Sequence, residues 1–239
     1  MILKLLKLLL LIKVHYIYGL ACLLYKYYNN SFLDRITGYI EQLIIKIIGL
    51  RIVFNRKLNK ENMIYISNHN HIFDIYPFIC KKFRFIVKDN LGSEVSILKY
   101  SYNWAFYNPQ YIKYKRDDFE SGIEVKNKII NEYNRGYNIL IFPEGTSQKC
   151  GKICKPFKKG VLKLAYDNNI PIQTMTLIYN KDIGVEKEDK TNLNKFLEIF
   201  DDIVLIVKLG KIFKSEEYND FEVYCKEIYN NITPELWIS

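Results

Sequence analysis

The sequence predicts an α/β fold, a largely parallel central sheet flanked by helices, preceded by an N-terminal pair of membrane-associated helices. Three observations carry this expectation. From residue 63 onward, short apolar runs of strand length alternate with longer stretches of helical periodicity, as in a sheet whose parallel strands are joined by covering helices. Residues 1–50 instead hold two successive apolar helical patterns with no strand between them. No repeat, low-complexity run or proline-rich linker divides the remainder, and 239 residues with 49% hydrophobic content suffice for one core without disulfide or metal staples. The expected division is 1–50 for the membrane-associated helices and 51–239 for a single domain.

The first helix, residues 2–28, has no small-residue cleavage site after it and is too long for a signal-peptide core. To span a bilayer it must absorb Lys13 and His15 near its middle. A central lysine costs roughly 2.5 to 3.5 kcal/mol, which about six leucines at ~0.5 kcal/mol each offset, so spanning is marginal. On a helical wheel Lys4, Lys7, His15, Tyr18, Tyr25 and Lys26 share an arc of about 100°, with leucines and isoleucines around most of the rest and Lys13 as the exception. That arrangement predicts a helix in the headgroup region, its lysines on anionic phosphates. In residues 32–48, Phe32, Ile36, Ile40, Leu43 and Ile47 fall on one face and Asp34, Arg35, Glu41, Gln42 and Lys46 on the other. This second helix either joins the first at the membrane or covers the domain's own core. The location expected is a membrane, through a monotopic or single-pass N-terminal anchor, the endoplasmic reticulum in a eukaryotic host.

Beyond the polar connection 55–60, strands are expected at 63–67, 84–87, 111–114, 138–142, 172–178 and 203–209, and helices at 119–133, 157–168 and 217–230. The excess of 35 Lys+Arg over 26 Asp+Glu, a charge of +9, admits nucleic acid, an anionic membrane or a phosphorylated substrate as partner. The five cysteines are odd in number and scattered, which argues against a disulfide framework; no second pair accompanies Cys150 and Cys154, which argues against zinc. Asn29 and Asn231 begin glycosylation-like triplets of the kind an Asn-rich chain contains by chance.

Ligands of such sheets sit beyond the carboxyl ends of the strands, and two strand ends carry unusual residues. The first is Ser67-Asn68-His69-Asn70-His71-Ile72-Phe73-Asp74, which holds two of the three histidines. An aspartate that accepts a histidine's ring N–H fixes the tautomer and stabilises the imidazolium, leaving the other nitrogen to deprotonate a hydroxyl supplied by a substrate. The competing reading makes Asn68 and Asp74 turn and capping residues beside exposed histidines. The second is Phe142-Pro143-Glu144-Gly145-Thr146-Ser147, where proline ends the strand and glycine permits an unusual backbone angle. Lys149, Lys152, Lys155, Lys158 and Lys159 follow, cations suited to phosphate or else a solvated basic loop. The nucleotide-binding Gly-x-x-x-x-Gly-Lys-Ser/Thr spacing is absent.

Together the two segments resemble the glycerolipid acyltransferases, the family of 1-acyl-sn-glycerol-3-phosphate acyltransferases. Asn68-His69-x-x-x-x-Asp74 looks like the family's first block and Phe142-Pro143-Glu144-Gly145-Thr146 like its third. Tyr111-Ile112-Lys113-Tyr114-Lys115-Arg116-Asp117 is similar to the second; Lys155-Pro156-Phe157 through Gly160 and Ile170-Pro171-Ile172 resemble the approach to the fourth. The resemblance runs from about Gly49 to the C-terminus and makes 51–239 an acyltransferase domain. It implies transfer of a fatty acyl group from coenzyme A or acyl carrier protein to the free hydroxyl of 1-acylglycerol-3-phosphate, giving phosphatidic acid in phospholipid biosynthesis. By the same resemblance His69 is the general base, Asp74 its partner, and Arg116, Glu144, Gly145 and Thr146 belong to the acceptor-phosphate region, with no metal or other cofactor. His71 places a second imidazole near the base, where the family often has serine or threonine. Ser147 and Gln148 replace the usual arginine and serine, and Thr174 stands where the fourth block usually has proline. The acceptor therefore stays open between lysophosphatidic acid, another lysophospholipid and glycerol-3-phosphate, and a membrane lipid-binding protein without catalysis is the rival class. Nucleic acid is excluded as a partner, because the chain shows no recognised binding module.

Overall fold

The structure, a computed structural model, describes residues 1–28, 31–79, 81–88, 105, 107–108, 110–115, 118–145, 158–181, 197 and 200–232. Two helices, α1 (Ile2–Tyr28) and α2 (Ser31–Ile48), precede a seven-stranded sheet. The strands are β1 (Arg51–Phe54), β2 (Ile64–Ser67), β3 (Phe83–Lys88), β4 (Tyr111–Tyr114), β5 (Asn138–Ile141), β6 (Ile172–Tyr179) and β7 (Val204–Phe213), ordered β1-β7-β6-β2-β5-β3-β4 across the sheet. All neighbours pair in parallel except β6 and β7, which are antiparallel. Helices α3 (Phe119–Asn134), α4 (Gly160–Asp167) and α5 (Phe221–Ile232) complete the described elements, with a 3-10 helix at Ile72–Phe78.

Because side chains alternate across a strand, β2 and β5 feed two separate cores. Tyr65, Leu140, Met175 and Leu177 face a cluster shared with the helical pair and with Phe73 and Phe78 of the 3-10 helix. Ile64, Ile139, Ile141 and Ile172 face the other, filled by Val125 and Ile129 of α3, Leu162 and Ala165 of α4, and Tyr224 and Ile228 of α5. Every residue of β2 is buried, as its unbroken apolar run predicts for a central strand. The site-bearing ends of β2 and β5 thus emerge from the middle of a sheet covered on both sides.

Where the structure departs from the sequence reading, local causes are visible. β1 was not anticipated: it is an edge strand with alternating exposure, and its apolar run, Ile52-Val53-Phe54 between Arg51 and Asn55, is only three residues long. The helix expected over 217–230 begins only at Phe221, after a 3-10 turn at Ser215–Glu217, since Asp220 Oδ1 caps it by accepting from the amides of Glu222 (2.6 Å) and Val223 (3.1 Å). Thr174, noted above as unusual, lies where the β6–β7 register shifts, and it donates to Asn231 Oδ1 at 2.5 Å. A Cβ on Gly210 would collide with that threonine hydroxyl, so glycine is required opposite it. The triplet beginning at Asn231 therefore has its amide oxygen committed inside the fold.

The helical pair corrects the wheel reading. His15 and Tyr18 face the protein and are buried, Lys4 reaches Asp201 (2.7 Å), and Glu41 is 3% exposed instead of solvated. The Tyr18 hydroxyl donates to Glu41 Oε1 (2.6 Å), and Asn108 Nδ2 donates to both (2.7 and 3.0 Å). Tyr18 lies as far before the end of α1 as Glu41 lies after the start of α2, so the two helices pack antiparallel. The middle of the polar arc of α1, His15 and Tyr18, is turned inward, where the hydrogen bonds to Glu41 and Asn108 satisfy the Tyr18 hydroxyl, while Lys26 at the end of the arc stays exposed. What α1 turns outward is largely apolar: Leu3, Leu6, Leu10, Ile17, Leu20 and Leu24, with Lys13 among them; on α2 Phe32, Tyr39 and Leu43 are exposed beside Arg35, Gln42 and Lys46, whose exposure the wheel did anticipate. Phe32 and Leu43, expected on one face with Ile47, are exposed while Ile47 is buried. By length and composition α1 is the one described helix apolar enough to cross a membrane.

Candidate active site

β2 ends at Ser67, and Asn68 takes over its role in the sheet. The Asn68 side chain accepts from the Leu177 amide (2.7 Å) and donates to the Leu177 carbonyl (2.9 Å), so a side-chain amide continues the pairing with β6 while the main chain turns away. Asn70 Nδ2 donates to the same carbonyl at 3.0 Å. The turn delivers His69 and Asp74 to each other: His69 Nδ1 is 2.9 Å from Asp74 Oδ2. That oxygen also accepts from the amides of Asn70 (2.6 Å) and His71 (2.9 Å), and Oδ1 accepts from the Tyr179 hydroxyl (2.7 Å). Asp74 is completely buried, whereas the His69 side chain is 23% exposed, so the imidazole is the member of the pair that solvent and ligands reach. With Nδ1 engaged, Nε2 remains for a substrate hydroxyl. Phe142 stacks on the His69 ring (centroids 4.3 Å apart, planes at 17°) and fixes its plane.

The end of β5 closes on the same place. Gly145 turns at φ +69°, a left-handed value that a side chain resists, and its amide donates to the Phe142 carbonyl (3.0 Å). Glu144 points back into the protein, 4% exposed, with Oε1 accepting from the His69 amide at 2.8 Å and Oε2 buried without a hydrogen bond. Burial is the main cause that pushes its pKa up to about 7, against the opposing effect of the His69 amide. The two strand ends singled out in the sequence are thus joined directly, with Glu144 as the link.

Residues 49–178 match the family model of the Acyltransferase family. The chain belongs to that family. It is similar to 1-acyl-sn-glycerol-3-phosphate acyltransferase BAT2, chloroplastic, of Brassica napus, with 28% identity over 72% of this chain and 46% of that protein. It is also similar to 1-acyl-sn-glycerol-3-phosphate acyltransferase LPAT1, chloroplastic, of Arabidopsis thaliana, with 29% identity over 48% of this chain and 31% of that protein. The chain therefore spans less than half the length of these curated relatives. Among solved structures, the crystal structure of the 1-acyl-sn-glycerophosphate (LPA) acyltransferase PlsC from Thermotoga maritima superposes with a TM-score of 0.63 at 16% identity, covering 99% of this chain and 98% of that one. That likeness establishes a shared fold, N-terminal helix pair included.

Within this member of the family, four of the six site residues named from the sequence are described, and His69, Asp74, Glu144 and Gly145 are brought into one cluster. Arg116 and Thr146 lie outside the described residues, as do Lys149, Lys152 and Lys155. Lys158 reaches Gly145, where a Cβ would stand 3.2 Å from its Cε, but Lys159 pairs with Glu222 of α5 and is directed away from the site. His71 is not a second free base: its Nδ1 accepts from the Phe73 amide (3.3 Å), which caps the 3-10 helix. Tyr179 was missed. It stands 105 residues from Asp74, and one tyrosine among twenty carries no signal unless the alternation Met175, Leu177, Tyr179 is followed to the strand's end. Among the described residues no group of three or more His, Cys, Asp or Glu is placed to hold a metal ion.

Proposed function

We propose that the chain transfers a fatty acyl group from an acyl thioester, acyl-CoA or acyl carrier protein, to the free hydroxyl of 1-acylglycerol-3-phosphate, giving phosphatidic acid. The observation that carries this reading is the His69–Asp74 pair, a fully buried carboxylate behind a partly exposed imidazole at the carboxyl end of a central strand. In this mechanism His69 Nε2 takes the proton of the acceptor hydroxyl as its oxygen attacks the thioester carbonyl. Asp74 holds the Nδ1–H and stabilises the imidazolium. The tetrahedral adduct then collapses, the C–S bond breaks, and the imidazolium returns its proton to the departing thiolate, leaving an ester and a free thiol. Arg116, Glu144, Gly145 and Thr146 are assigned to the acceptor side. Residues 1–50 serve as the membrane anchor and 51–239 carry the chemistry, the outward apolar face of the hairpin supporting the first half of that division.

The test is purified protein in mixed micelles, offered lysophosphatidic acid, other lysophospholipids and glycerol-3-phosphate with labelled acyl-CoA, beside His69→Ala. Transfer to lysophosphatidic acid that the substitution abolishes is the expected result. Preference for another acceptor replaces the substrate, and absence of transfer to all of them returns the chain to lipid binding alone.

A further inference from the structure

We propose that Tyr179 is a positioning residue of the His69–Asp74 pair: its hydroxyl pins the buried carboxylate so that one oxygen stays directed at His69. The inference rests on the acyl-transfer reading above. Among the described residues, three of the four donors to Asp74 come from residues 69–71, a short loop adjoining the aspartate itself, and all three converge on Oδ2. These bonds tie the carboxylate to its own loop and to nothing else. Tyr179 supplies a reference outside that loop, donating to Oδ1 at 2.7 Å from the end of β6.

β6 is also the strand that holds the loop's main chain, since the Leu177 amide and carbonyl bind the side chains of Asn68 and Asn70. Leu177 and Tyr179 are two apart and share a face of the strand, so one rigid element registers both the loop and the carboxylate. A carboxylate with donors on one oxygen alone is free to twist about Cβ–Cγ; a donor on the other oxygen removes that freedom. The Tyr179 phenol keeps its proton, because burial and then Asp74 push its pKa well above the ordinary range. It therefore stabilises the anion without neutralising it. Among the described residues, the titratable groups around Asp74 are His69 and His71 in its loop, Tyr76 in the 3-10 helix, Tyr179 on β6 and Glu144 after β5.

Tyr179→Phe removes one oxygen and keeps the ring. Losing a hydrogen bond to a charged group predicts a kcat lower by about 10- to 100-fold, with the acceptor KM nearly unchanged. The carboxylate, left with a bare buried oxygen, becomes more basic and pulls harder on the His69 N–H. The acidic limb of the kcat/KM profile then moves to higher pH. 3-Fluorotyrosine at position 179 keeps the shape and strengthens the donor, so it moves the same limb to lower pH and serves where the phenylalanine variant fails to fold. A wild-type kcat and unmoved limb in Tyr179→Phe, or in the fluorinated protein, overturns the proposal. His69→Ala run alongside separates the two readings: if it is inactive, such a result removes Tyr179 alone, and if it is active, the base falls and this role with it.

Discussion

Glu144 carries a carboxyl group that burial keeps from ionising at its ordinary pH, with its pKa near 7 in the folded protein against about 4.5 in an unfolded chain. Between those values the folded state binds the proton and the unfolded state does not, so stability falls as pH rises through that window. Glu144→Gln keeps the acceptor for the His69 amide and removes the titration. The wild type should therefore lose melting temperature relative to the variant between pH 4.5 and 7.5, and parallel melting curves across that range would refute the assignment. At Asp74 the expectation concerns rate: Asp74→Asn keeps the shape but favours the wrong imidazole tautomer, and kcat should drop by about three orders of magnitude with a cooperative melt retained. At this scale the sequence was informative where partners are close along the chain. The spacing His69-x-x-x-x-Asp74 identifies a pair because one turn holds both residues. Glu144 and Tyr179 reach the same cluster only through the parallel stacking of β5, β2 and β6, which spacing does not encode.

Among the elements, the hairpin shows what periodicity supplies and what it omits. A helical wheel finds the polar and apolar faces of α1 but not which of them meets the protein. The polar arc was expected to look outward, yet His15, Tyr18 and Glu41 are inside, Tyr18 and Glu41 held by Asn108, and a leucine stripe is outside. Exposing so continuous a stripe to water is unfavourable unless a lipid surface covers it. Leu10→Glu with Leu20→Glu places charge on that stripe without touching the buried side. We expect sedimentation with anionic liposomes to fall several-fold while the melting temperature stays within a few degrees, and undiminished sedimentation would count against the anchor. Lys13, the misfit of the wheel, is compatible with the proposed anchor because a lysine stem can lie along apolar surface while its ammonium reaches up to headgroups. The strands divided in a similar way. β2 was legible because burial on both faces leaves a continuous apolar run, and β1 was not, because an edge position leaves half of its residues in water.

For the molecule as a whole, the N-terminal hairpin and the sheet share one core. Leu11, Val14, Tyr18 and Cys22 pack in the same cluster as Tyr65, Phe85 and Leu140. Exposing large apolar side chains costs about 1.5–3 kcal/mol each, and a domain has only about 5–15 kcal/mol in total. Removal of residues 1–28 should therefore abolish cooperative unfolding by circular dichroism, and a truncated chain that melts sharply would show the hairpin to be separable. This is why point charges, not truncation, test membrane binding. The antiparallel turn of β7 has a further effect. It starts beside the end of β6, so Asp201 lies at the end of the sheet that carries His69 and Asp74, and Lys4 joins the first turn of α1 to it. On the proposed reading, a hairpin anchored there would hold the His69 imidazole at constant height over a bilayer, where reactants are counted per unit area. Turnover should then follow the mole fraction of lysolipid in the surface: diluting it with inert detergent at fixed bulk concentration slows the reaction, as in chemistry confined to two dimensions.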